Sequence, residues 1–280
     1  MLGTILAALL TVFPSHEADP GFADYLYGHG EYSLASQEYL RIIYANDEDT
    51  LACPLVSLRL ARCWHELGRS DDAFSLYTFL HRNLSDAELR AGAMMGAGSV
   101  LEESGNFVYA RELFTGAAAT SEDAELIARA GIMASLLNAR MGNWEASAEE
   151  LRTISLTGGP YSDVSASLAS KVAEGQFLSH RNPLWCGISS ALVPGSGQMI
   201  CGHYTDGIIA LGINGALAWL FYESLQEDNT TTSVLLGWLG LSFYGGNIYG
   251  GSRAAVTFNS ARRRELLDEV TEILENQYRL

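Results

Sequence analysis

Two hydrophobic rhythms divide this chain. From residue 19 to residue 181 the apolar positions recur at three- and four-residue spacing, interrupted by short polar turns, which predicts a series of amphipathic helices. From 183 to 252 they run almost without interruption. In the first region four stretches echo one another: Gly30-Glu31-Tyr32-Ser33-Leu34-Ala35, Gly68-Arg69-Ser70-Asp71-Asp72-Ala73, Gly105-Asn106-Phe107-Val108-Tyr109-Ala110 and Gly142-Asn143-Trp144-Glu145-Ala146-Ser147. Their lead glycines lie 38, 37 and 37 residues apart. Each echo reads as a turn between two helices, with the glycine permitting the backbone conformation that stops the first.

Alignment on these glycines exposes further columns. Seven residues before each stands a small residue: Ala23, Ala61, Gly98, Ser135. Five after stands another: Ala35, Ala73, Ala110, Ser147. Nine after is a bulky one, Tyr39, Tyr77, Phe114 or Leu151, and twelve after an apolar one, Ile42, Leu80, Ala117 or Ile154. Small residues on facing helices let two backbones approach, and the large residue fills the space beside them. One such pair cannot bury its apolar face alone, so neighbours are expected to stack. Residues 161–179 predict one more helix, with Leu168, Val172 and Phe177 on its apolar side, and Ser179 to Pro183 a linker.

In the second region 207–222 and 233–250 are apolar runs interrupted by Asn214 and Asn247, at the lower edge of the 17–25 residues that cross a bilayer. The turn between them, from Glu223, is acidic and polar. Asn214 and Asn247 are costly facing lipid and are expected at the helix interface, against each other or Gln198. Gly246 and Gly250 form a small-xxx-small step that predicts close contact of the two runs. From Asn259 to Leu280, Leu266, Leu267, Val270, Ile273 and Leu274 share one helical face, preceded by Arg262, Arg263 and Arg264.

The columns of small residue, Gly-x-aromatic, Ala and aromatic resemble the tetratricopeptide repeat. The units run slightly longer than that family's and lack its closing proline, and Ser70 stands where an aromatic is usual. The resemblance implies a helical-hairpin solenoid whose first helices line a concave face. Mapped here, that face carries Asp24, Tyr27, Arg62, His65, Glu66, Ser99, Glu102, Glu103 and Arg140. Its acidic centre implies a basic or amphipathic protein segment as ligand. Pro194-Gly195-Ser196-Gly197-Gln198, followed by Phe243-Tyr244-Gly245-Gly246-Asn247-Ile248-Tyr249-Gly250, resembles small bacterial membrane domains with a P-G-x-G-Q motif, which carry no assigned reaction.

Charge narrows the function. The chain of 280 residues carries a formal net charge of −16, which disfavours nucleic acid. Residues 19–181 hold 23 Asp and Glu against 12 Lys and Arg, whereas 183–252 are nearly uncharged; such a shift marks a change of solvent from water to lipid. Cys53, Cys63, Cys186 and Cys201 form no CxxC, and no His cluster completes a metal set. Cys53 and Cys63 flank one predicted helix and can pair only if that helix starts late. The glycine motif is not a phosphate loop, since no Lys-Ser/Thr follows it, nor a nucleophile elbow. Glu102-Glu103 and Glu149-Glu150 read as solvated helix faces. No cofactor and no reaction is indicated.

The expected architecture is therefore all-α: a signal peptide or anchor at 1–18, a tetratricopeptide-like solenoid at 19–181, a glycine-rich membrane domain at 182–258 and an amphipathic helix at 259–280. Topology turns on 184–203. If it crosses, an exported solenoid is compatible with cytoplasmic tail arginines; its Pro-Gly-Ser-Gly argues instead for a broken or re-entrant helix. The favoured expectation is an exported, periplasmic solenoid tethered to the bacterial inner membrane, acting as an adaptor that holds a protein partner. The alternatives are a membrane activity through Gln198, Asn214 and Asn247, such as aiding protein insertion or passing a small solute, and a hydrolase, for which no nucleophile and base stand out.

Overall fold

The computed structural model describes residues 20–46, 49–159 and 161–277. The expected signal segment at 1–18 lies outside them. Among the described residues the chain is all-helical, with thirteen α-helices, one short 3-10 helix and no strand. It divides into two compact units, the division falling between Ala173 and Glu174.

The first unit holds α1 (Pro20–Gly28), α2 (Tyr32–Ala45), α3 (Pro54–Glu66), α4 (Ser70–Asn83), α5 (Ala87–Glu103), α6 (Phe107–Thr120), α7 (Ala124–Met141), α8 (Trp144–Ser155) and α9 (Ser162–Ala173). Each helix packs on those before and after it in the chain, and α3 also touches α5. The four glycines sit in the turns α1–α2, α3–α4, α5–α6 and α7–α8 with φ of +77°, +73°, +80° and +91°. Each turn is closed by the same bond, from the N–H of the residue after the glycine to the carbonyl five residues back: Glu31 to Leu26, Arg69 to Trp64, Asn106 to Leu101 and Asn143 to Asn138. A side chain at these glycines would be strained.

The aligned columns are core. Ala23, Ala61, Ala35, Ala73, Ala110 and Ser147 are fully enclosed, as are Tyr39 and Phe114, with Tyr77 and Leu151 alongside them. Two glycines of α5 show why. A Cβ on Gly96 would lie 2.3 Å from the Tyr77 ring, and one on Gly98 would lie 2.6 Å from the Phe114 ring. The aromatic of α4 and that of α6 thus rest on bare backbone of the helix between them. In the last pair a hydroxyl does the equivalent work, Ser147 donating to the Ser135 carbonyl at 2.6 Å. Asp86 and Asp123 cap α5 and α7 by accepting from Leu89 and Glu125 N–H. The helix predicted at 161–179 stops early. Leu168 and Val172 are buried, but α9 ends at Ala173 and the 3-10 turn Glu174–Phe177 leaves Phe177 exposed. Helix α3 begins directly after Cys53, so Cys53 and Cys63 stand apart along it as free thiols.

The second unit holds α10 (Pro183–Leu192), α11 (Ser196–Ile200), α12 (Tyr204–Gln226) and α13 (Thr230–Gln277). Asn182 caps α10 through Leu184 and Trp185 N–H, and Pro183 occupies its first turn, where no N–H is needed. Helices α12 and α13 form a long hairpin; α10 and α11 pack on α13. Residues 259–277 are not a separate helix: α13 runs unbroken for 48 residues, about 72 Å, with Leu266 and Val270 buried. Helix α10 spans ten residues, about 15 Å, half of what a bilayer core requires.

Candidate functional site

In the first unit α3, α5 and α7 wall a cleft of about 440 Å³. Arg59, Arg62, His65 and Glu66 line it from α3; Gly92, Met95, Gly96 and Ser99 form its floor on α5; Glu125, Leu126 and Arg129 close it from α7. The floor is low at Gly92, which presents backbone rather than side chain; one helical turn on, the Tyr77 ring of α4 lies over Gly96 and completes the lining.

Four of the nine residues expected from sequence, Arg62, His65, Glu66 and Ser99, line this cleft. The others stand beside it in pairs. Asp24 accepts from the Tyr39 hydroxyl at 2.7 Å and pairs with Arg59. Tyr27 lies under the Arg62 guanidinium, 5.8 Å from ring centroid to cation. Glu102 pairs with Arg140 at 2.9 Å. Glu103 Oε2 is 2.9 Å from His65 Nε2, off the line of a hydrogen bond. Of the acidic centre expected at Glu102 and Glu103, Glu102 is thus matched by Arg140, and the cleft itself balances Arg59, Arg62 and Arg129 against Glu66, Asp123 and Glu125. Burial raises the Glu102 carboxyl above its ordinary value, with Arg140 pulling it part of the way back. Burial, then the bond to Asp24, raises the Tyr39 phenol, and burial pushes the Cys63 thiol up to about 11. These are inert core groups rather than activated ones.

Arg59, Arg129 and the two floor glycines are absent from the sequence-derived set. The family mapping places residues on one face of each first helix and does not register gaps left by missing side chains. The Gly92–Gly96 spacing on an otherwise strong helix former was the available signal.

In the second unit the polar chemistry is concentrated where the backbone breaks between α10 and α11. Ser190 donates to Gln198 Oε1 at 2.8 Å and accepts from the Gly197 N–H at 3.0 Å. Asn247 on α13 donates to the Ser190 carbonyl at 2.7 Å and accepts from the Gly195 N–H at 2.8 Å. Gln198 donates to Asn247, and the Tyr244 hydroxyl donates to the Ala191 carbonyl. Side chains thus take up the peptide groups that the break frees. Glycines make room for this knot. A Cβ on Gly195, whose φ is +88°, would lie 1.9 Å from the Gly207 carbonyl oxygen; one on Gly197 would lie 2.0 Å from that of Cys186.

The expected contact through Gly246 and Gly250 is not formed. The space where a Gly246 Cβ would stand is open, and Gly250 approaches Gln198 rather than α12. Asn247 and Gln198 meet as expected. Asn214 instead donates to the Ala210 carbonyl of its own helix at 2.8 Å. All three nevertheless border one cavity of about 480 Å³ between α12 and α13, together with Asp206 and Ser242. Asn214 also borders an apolar groove of about 600 Å³ lined by Pro194, Leu217, Phe221, Leu241 and Tyr244.

Away from the acidic turn and the charged end of α13, the outside of the α12–α13 hairpin is apolar. Helix α12 is the one described helix long and apolar enough to cross a membrane, and only 6% of its most apolar 18-residue stretch is buried. Ile208, Trp219, Leu235, Trp238 and Leu241 are all exposed on the hairpin. Among the described residues no cluster of three His, Cys, Asp or Glu side chains is placed to hold a metal. Compared with family models, with curated proteins and with solved structures, the chain finds no match in any of the three.

Proposed function

We propose that this protein is a membrane-anchored adaptor of the bacterial cell envelope. Its first unit, read as a tetratricopeptide-like solenoid, holds a segment of a protein partner, and its second unit fixes that partner at the inner membrane. The observation that carries the reading is the bare apolar exterior of the α12–α13 hairpin. Exposed Trp and Leu side chains over that length are costly in water and favourable in hydrocarbon. The cleft of the first unit supports the adaptor half: a floor of bare backbone at Gly92 and of the Tyr77 ring over Gly96, flanked by Leu58, Leu126 and Met95, with charges of both signs at its rim, suits an amphipathic segment. The balance of the rim removes the preference for a basic one.

The test is a photo-crosslinking residue at Arg129 or Glu66 in the full-length protein in its native membrane. The same partner should be captured from both positions, and Gly92→Leu, which fills the floor, should abolish capture while the protein stays in the membrane fraction. Capture unaffected by Gly92→Leu sinks the cleft as the binding site. A second reading, a membrane activity of the hairpin itself, draws on the cavity where Gln198, Asn214 and Asn247 converge. It requires that Asn214→Leu abolish function with partner capture intact.

A further inference from the structure

Five levels along α13 fix how α10 and α11 run. The Arg181 N–H donates to Asn259 Oδ1 and Asn259 Nδ2 donates to the Arg181 carbonyl, both at 2.8 Å. Gly187 abuts Ser252 and Ile248. Ala191 is held by Tyr244, fifteen residues back along α13 from Asn259. The chain then returns: Gln198 meets Asn247 and approaches Gly250, and Cys201 packs with Cys186, Ala254 and Ala255. At the opposite end Ser224 and Ser233 share a hydrogen bond beside the α12–α13 turn. Residues 183–203 thus descend along α13 from the level of Asn259 to that of Tyr244, turn at Pro194-Gly195, and climb back.

Depth follows from helix rise. Running alongside α12 in the hairpin and less apolar than it, α13 takes twenty residues, about 30 Å, from Ser233 to Arg253, to match the thickness of a hydrocarbon core. Tyr244 lies nine residues, about 13 Å, short of that boundary, which is roughly one leaflet. The outer face of α10 matches this placement. Leu184, Trp185, Ile188, Leu192 and Val193 are exposed and continue the apolar surface of α12 and α13. Cys186, Gly187 and Ser190 are buried on its inner face. Trp185 stands at the level of Arg253, where an indole suits the headgroup boundary. Arg181, Arg253, Arg262, Arg263 and Arg264 gather at this end, and Glu223, Glu227 and Asp228 at the other.

We infer that residues 183–203 form a re-entrant hairpin whose outer face is a lipid-binding surface, entering one leaflet from the arginine-bearing side and leaving by that side. The inference rests on the membrane reading above and adds a direction to it. The chain reaching Arg181 and the chain leaving Asn259 emerge on one face of the bilayer. The bias of Lys and Arg makes that face cytoplasmic, so the third crossing on which an exported first unit depended is not supplied.

The experiment is labelling with a membrane-impermeant maleimide in sealed vesicles of both orientations. Full-length His180→Cys, Ser260→Cys and Thr231→Cys are used, all at exposed positions, with the parent, whose native cysteines are buried or half-buried, as background. Positions 180 and 260 should label in the same orientation, and 231 only in the other. Labelling of 180 and 260 from opposite faces overturns the re-entrant hairpin and leaves the membrane anchor standing. Labelling of 231 and 260 from one face overturns the anchor itself. If 180 and 260 share the face opposite to the cytoplasm, the assignment of sides is wrong.

Discussion

In the first unit rings are set on bare backbone, Tyr77 on Gly96 and Phe114 on Gly98; in the second, backbone meets backbone, Gly195 against Gly207 and Gly197 against Cys186. On the proposed membrane reading the difference follows from solvent. In water an aromatic removed to the interior contributes its apolar area, so the tightest contacts of the first unit are those that enclose large side chains. A surface already bathed in hydrocarbon gains little from hiding more carbon. There the gain comes from close packing and from hydrogen bonds, which small residues permit. Accordingly the buried groups of the second unit include Ser190, Gln198, Ser224, Ser233 and Asn247, while its tryptophans at 185, 219 and 238 are outside.

Substitutions can break this contrast. In the first unit the largest effect is expected from Phe114→Ala, which empties a fully enclosed site between α5 and α6 and should cost about 3–5 kcal/mol in chemical denaturation. In the second unit Gly195→Ala should cost about 3 kcal/mol, since the left-handed backbone and the Gly207 carbonyl both oppose a methyl group; thermal unfolding in detergent measures it. Asn247→Leu leaves the Gly195 N–H and the Ser190 carbonyl without partners, at about 1–3 kcal/mol each. Asn214→Leu, similar in chemistry, removes only a bond within α12 and should change stability by less than about 0.5 kcal/mol. Equal losses from the two asparagines would show that polarity, rather than the backbone break, sets the cost.

The smallest effect concerns pH in the first unit. Burial holds the Glu102 carboxyl above its ordinary range, so the folded protein keeps that proton to higher pH than the unfolded chain. The stability this contributes is complete below the ordinary carboxylate pKa and is lost as pH rises through the folded value. Glu102→Gln cannot titrate. Its melting temperature should vary less than the parent's between about pH 4 and pH 7, and should exceed the parent's at the upper end. Glu88 works in the opposite sense: the Ser121 hydroxyl and the Glu122 N–H lower its pKa. Its contribution is present above the ordinary range and is lost as the pH falls, and Ser121→Ala should reduce that acid sensitivity.

What sequence carried and what it missed divide along the same line. The glycine turns and the columns around them depend on neighbours within about forty residues, and they stand in the structure at Gly30, Gly68, Gly105 and Gly142 with their small and bulky partners buried. The meeting of Asn247 with Gln198 was readable because an amide is costly against lipid. Its further bonds to Gly195 and Ser190 join groups more than fifty residues apart and leave no periodic trace. Gly246 and Gly250 have the right spacing for helix contact, yet spacing does not say which face a helix turns inward. Pairing weakened the acidic groove: Glu102 reads as a free charge until Arg140, brought up from another helix, stands beside it.

The unbroken course of α13 has a mechanical consequence. From the acidic turn at Thr230 past Asn247 to the arginines it is one rod without a joint, so its charged end cannot slide independently of its apolar one. Drawing the tail outward by a single residue's rise, about 1.5 Å, would tug Asn247 off register with Gly195, and a partner grasping the tail would be felt as strain at the glycine knot.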